Sequence, residues 1–196
     1  MPYPSFLEQA AETYAQTGHP LAGRLRAPLT EAGRRTAEPV EADISTPTFL
    51  ASALGTPGAH AIAGEIAEFA ADLPWQVAPS LQANPQTCDR HAFIELVGPD
   101  GLAVTDEVRF GLYVQAADTV YPPHHHAAEE LYFVVSGTAD WQKDDAAFAL
   151  REPGTLIHHT PWQDHATTTR GEPLLAMWAW LGDLNPQSYR MAVENL

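Results

Sequence analysis

Apolar positions along the chain change period partway through. Near the N-terminus they recur every three or four residues, and Ile62, Ile66, Phe69 and Ala70 fall on one face of a helix predicted over 59–72. Three helices are expected before it. Ser5 can cap the first through Gln16, with Gly18 as its stop; the second covers 21–37 and kinks at Pro28; the third starts at Thr46 or Thr48 and ends near Gly55. Beyond Leu73-Pro-Trp75 the signals become short β segments divided by turn residues. Strands are predicted over 92–97, 108–115, 130–136, 138–142, 148–151, 156–159, 166–169 and 174–181, with Gly98-Pro-Asp-Gly101 as a tight turn and Gly137 as a hinge. Short strands in this rhythm predict a mainly β protein, a closed or double-sheet antiparallel barrel. Residues 1–75 are expected to form a helical extension packed on a barrel of residues 76–196, one compact domain in all.

Composition narrows the classes. A chain of 196 residues that is 45% hydrophobic can bury a substantial core. Its net charge of −15, from 25 acids against ten bases, argues against nucleic acid or an anionic membrane as partner. The single cysteine, Cys88, excludes an internal disulfide and fits a reducing cytosol. The N-terminus carries neither the basic nor the apolar region of a signal peptide, and no apolar run reaches the ~20 residues of a membrane span. A cytoplasmic monomer or homodimer is expected.

The chemistry concentrates in Tyr121-Pro-Pro-His-His-His-Ala-Ala-Glu-Glu-Leu-Tyr-Phe-Val-Val-Ser-Gly137. On extended backbone His124 and His126 point to one face and His125 to the other. In the following strand Glu130, Tyr132 and Val134 share a face, and Leu131, Phe133 and Val135 share the opposite one. A turn at Ala127-Ala128 would bring two imidazoles, a carboxylate and a phenol together, a donor set for a divalent metal such as zinc, iron, manganese, nickel or cobalt. Parity favours Glu130 over Glu129. Downstream, His165 follows two turns and offers a fourth ligand from a neighbouring strand, and alternation places only one of His158 and His159 near the site.

These residues resemble the two cupin motifs: His-x-His, a Glu four residues on, a later Gly, then a Pro-Gly turn leading to a further His. His124, His126, Glu130, Gly137 and His165 occupy the positions, and Asp118 stands where the first motif opens with Gly. Asp72-Leu-Pro-Trp75, Ile94-Glu-Leu-Val-Gly-Pro-Asp-Gly101, the His-rich run with its tyrosine two residues after the motif Glu, Trp162 to His165 and Met177-Trp-Ala-Trp180 are together similar to the bacterial cupin-type dimethylsulfoniopropionate (DMSP) lyases. That resemblance implies a cupin jelly-roll barrel, a small zwitterionic sulfonium substrate, and β-elimination to dimethyl sulfide and acrylate. It further implies one divalent metal on His124, His126, Glu130 and His165, Tyr132 as base or resting ligand, and Tyr121, Trp178 and Trp180 as substrate-binding aromatics. A cupin dioxygenase and a non-catalytic metal-binding sensor are the alternatives.

Overall fold

The computed structural model describes residues 3–38, 40–78, 81 and 88–192. Helix α1 (Pro4–Gln16) starts at a proline, with Tyr3 preceding it and no side-chain cap, so the expected Ser5 cap is not made. Proline suits this position because its missing N–H has no partner in a first turn and its φ is already helical. The predicted second helix is shorter than expected. A 3₁₀ turn (Ala22–Leu25) leads into α2 (Arg26–Ala32), and Pro28 lies in the first turn of α2 rather than at a kink. Helix α3 (Leu50–Leu54) stops at Gly55 as read from the sequence, and α4 (Ile62–Ala67) is followed by a 3₁₀ turn at Ala70–Asp72.

Among the described residues ten strands follow: β1 (His91–Val97), β2 (Arg109–Gln115), β3 (Val120–His125), β4 (Glu129–Ser136), β5 (Ala139–Lys143), β6 (Ala149–Arg151), β7 (Leu156–His159), β8 (His165–Thr169), β9 (Leu174–Leu181) and β10 (Arg190–Met191). They form two five-stranded sheets, ordered β1-β2-β9-β4-β7 and β10-β3-β8-β5-β6, with every ladder antiparallel. Strand β10 had no signal in the sequence, because two residues are too few to show alternation. Asp118, in place of the motif glycine, adopts φ +51° and accepts a hydrogen bond from Gly171 N, a left-handed turn that aspartate tolerates better than most residues.

The first sheet is covered on both sides. Phe110, Leu112, Leu131, Phe133, Leu175 and Met177 pack with Phe6, Leu7 and Tyr14 of α1 in one core. The alternate residues Tyr113, Tyr132, Val134, Trp178 and Trp180 turn inward into a second core between the sheets. Double coverage explains why these strands read as nearly continuous apolar runs. The buried Tyr14 hydroxyl donates to Leu131 O at 3.2 Å, so α1 holds the backbone of β4 between Glu130 and Tyr132.

Gly111 sits where β1, β2 and β9 are most tightly opposed. A Cβ there would lie 1.8 Å from Ile94 O and 3.0 Å from Trp178 Nε1. Gly111→Ala is therefore expected to lower stability by about 1–3 kcal/mol or more, read as a drop in the urea midpoint. An unchanged midpoint would mean that the two strands part at no cost.

Candidate active site

The site forms between the sheets. β3 and β4 do not pair: the turn at 127–128 carries the chain from the second sheet to the first. His124 faces His165 across the β3–β8 ladder, while Glu130 and Tyr132 project from β4 on the opposite wall. His124, His126, Glu130 and His165 are each 2% exposed.

One ligand atom from each of His126, Glu130 and His165 lies within 4.8 Å of the others. His124 is outside that set, although its ring centroid is 4.1 Å from that of His165. Each of the three imidazoles has its Nδ1 on a backbone carbonyl: His124 on Pro122 O at 2.8 Å, His126 on Ala128 O at 3.1 Å and His165 on Gln163 O at 2.8 Å. A carbonyl only accepts, so Nδ1 carries the proton and a neutral ring presents the Nε2 lone pair. The Nε2 atoms of His126 and His165 both stand 3.2 Å from Glu130 Oε2. His165 Nε2 is buried with no hydrogen-bond partner among the described residues. Lone pairs aimed at a carboxylate require a cation between them, either a proton or a metal ion. Backbone-anchored imidazoles beside a carboxylate are how proteins prepare a metal site, and these residues fit one.

Charge follows from burial and neighbours. Burial pushes the Glu130 carboxyl up, but His126 and His165 more than reverse this and hold it well below the usual carboxylate range. Burial, and then His165, push His124 well below the usual imidazole range, which leaves a neutral ring. Burial, and then the Glu130 charge, push the Tyr132 phenol well above its usual range, and its hydroxyl is hydrogen-bonded to Glu130.

The remaining residues sort by strand parity. Trp178 and Trp180 both face inward, and with Tyr121 they line a cavity of about 410 Å³ that reaches the histidines and Tyr132. Trp180 Nε1 also donates to Glu130 Oε1 at 2.8 Å, so this indole orients the carboxylate as well as walling the cavity. The Tyr121 ring is stacked by His124 at 4.2 Å and Tyr113 at 5.6 Å. His125 turns outward to Asp164, and His158 pairs with Glu129, which leaves Glu130 as the inward acid. His159 is fully buried, accepts from Trp141 Nε1 at 3.0 Å and stacks on His165 at 4.1 Å. Sequence reading missed Trp141 and Tyr189. Trp141 shows only as an apolar residue in a strand, and Tyr189 follows the last predicted one.

Two facing antiparallel sheets with a buried His–Glu–His group between them define a cupin-type protein. The family of dimethylsulfoniopropionate lyases matches residues 21–176. The chain belongs to that family. DddQ of Ruegeria pomeroyi is 33% identical over 96 residues, 49% of this chain and 48% of that protein. The putative lyase DddL of Cereibacter sphaeroides is 33% identical over 133 residues, 66% of this chain and 55% of that one. The matched stretches thus span about half the length of these curated relatives. Along the whole fold, the crystal structure of Ruegeria pomeroyi DddQ superposes with a TM-score of 0.69 at 23% identity, covering 94% of this chain and 97% of that one. A solved structure titled for the lyases RdDddP and RnDddQII superposes with a TM-score of 0.72 at 26% identity, covering 98% of each chain. Among the described residues no helix is long and apolar enough to cross a membrane.

Proposed function

We propose that this protein cleaves dimethylsulfoniopropionate by metal-dependent β-elimination, with Tyr132 as the base. The observation that carries the reading is the pairing of a phenol with a His/Glu cluster in one buried cavity, in a chain of this family. His126, Glu130 and His165 hold the metal, and His124 completes the set. A bound divalent ion supplies the positive charge that binds the substrate carboxylate, favours the phenolate and stabilises enolate-like charge.

The protein groups do the rest. The Tyr132 oxygen takes the proton from the carbon beside the carboxylate. The released electron pair becomes the second bond between that carbon and the next, and the carbon–sulfur pair leaves on sulfur. The sulfonium departs as neutral dimethyl sulfide, acrylate remains, and the proton on Tyr132 passes to solvent. Trp178 and Trp180 surround the sulfonium with aromatic surface, each attracting a soft cation by roughly 0.5–2 kcal/mol while excluding water, and Tyr121 binds the substrate from the same cavity.

The test is headspace dimethyl sulfide from purified protein and substrate, before and after chelation. Release that stops on chelation, returns with metal and is matched by acrylate is expected. Sound, metal-loaded protein that releases none would sink the substrate assignment. Trp180→Phe keeps the wall but removes the donor to Glu130 Oε1. It is expected to weaken metal affinity by about 10–100-fold in competition with a chelating dye; unchanged affinity would show that the indole plays no part in holding Glu130.

A further inference from the structure

The last described segment runs as a strap across the mouth of the site. Arg109 Nε donates to Leu184 O at 2.8 Å and holds the strap at its start. Asn185 then caps a 3₁₀ turn (Pro186–Ser188) through Gln187 N, and Ser188 Oγ accepts from Ala127 N at 3.1 Å. Strand β10 pairs Arg190 with His125 and Met191 with His124, and Ala192 N reaches Pro123 O at 2.8 Å. The strap is thus bonded along the backbone of the His-x-His strand, on both sides of Tyr189.

Tyr189 is what the strap delivers. Its hydroxyl lies 2.9 Å from the Tyr121 hydroxyl, and its ring stacks 5.1 Å from His124 and lines the cavity. We infer that Tyr189 is a substrate-positioning residue, its hydroxyl paired with that of Tyr121 so that the pair presents a phenolic O–H donor to the carboxylate pole of the substrate. The proposal rests on the lyase reading and adds a residue to it, one beyond the stretch matched by the family.

Two features favour the carboxylate over the sulfonium. The lone pair of a positively charged sulfonium sulfur is too weak an acceptor for a hydroxyl, whereas each carboxylate oxygen accepts two hydrogen bonds. The cavity's arginine is already committed: Arg109 bonds Glu95 at 2.5 Å and Asp100 at 2.7 Å as well as Leu184 O. Hydroxyl donors therefore take the place of a guanidinium, and the Trp178–Trp180 wall is left for the cation.

The experiment splits the substrate into its two poles. Propionate and trimethylsulfonium are titrated separately against the metal-loaded protein and Tyr189→Phe, followed by the fluorescence of the cavity tryptophans, with metal content measured in parallel. The expected result is full metal content, unaltered trimethylsulfonium binding and a propionate dissociation constant raised about tenfold, the loss of one charge-assisted hydrogen bond. Tyr121→Phe is expected to show the same selective loss, and the double variant little more, because each hydroxyl orients the other. Unchanged propionate binding in Tyr189→Phe, or equal weakening of both probes, overturns the proposal, as does wild-type protein that does not bind propionate. Wild type that binds propionate but not trimethylsulfonium tells against the sulfonium substrate, while the Tyr189 comparison still decides this inference.

Discussion

Tyr132→Phe is expected to keep its metal and lose about 10²–10⁴-fold of its dimethyl sulfide release, the cost of removing a positioned base. The substitution deletes one oxygen and leaves the ring. Contacts of that ring with Trp141 at 5.1 Å, Tyr113 at 6.1 Å and His159 at 6.2 Å remain available, so the cavity keeps its shape. Glu130 loses one hydrogen bond but retains Trp180 on Oε1 and the histidines beside Oε2. Because the phenol is buried and sits next to a carboxylate, its proton is held more tightly than that of a free phenol, and positive charge entering the site would loosen it. Turnover and metal content measured on the same sample separate the roles. Near-normal release removes Tyr132 from the mechanism, and loss of metal with release makes it a ligand instead.

Removing a ligand is expected to act one step earlier. His126→Ala and Glu130→Ala should each lose bound metal and bring dimethyl sulfide release to background, since both side chains belong to the compact His–Glu–His set. Glu130→Ala carries a second penalty. It strips the acceptor from Trp180 Nε1 and from the Tyr132 hydroxyl, two buried donors whose stranding costs about 1–3 kcal/mol each. That variant should therefore also melt earlier than His126→Ala. Full metal content by elemental analysis in either protein would show that the ligand set is misassigned.

The inward group was legible in the sequence because it depends on parity alone. A strand has period two, so once Leu131, Phe133 and Val135 are placed in a core, Glu130 and Tyr132 must face the other way. The same rule sends His125 outward and both tryptophans of β9 inward. Pairing partners are a different matter. Nothing in Ala127-Ala128 says whether the chain returns beside β3 or crosses to the facing sheet, because both routes satisfy the same alternation. The dual task of Trp180 was hidden for a related reason: it depends on the β4–β9 register that sets Glu130 opposite Trp180. Tyr189 escaped because the strand after it is two residues long and its place is fixed by that strand's backbone bonds to β3. At the N-terminus, Ser5 was a reasonable cap by residue type, but the proline before it starts the helix two residues sooner.

The two walls of the site belong to different sheets, the imidazoles of β3 and β8 facing the acid and phenol of β4. The spacing between those sheets would therefore also be the bite of the proposed ligand set. Residues packed against these walls, Tyr14 behind β4 and Trp141 between the sheets, would act as calipers. A small change in their volume would alter which ion the site grips while leaving every ligand in the sequence untouched.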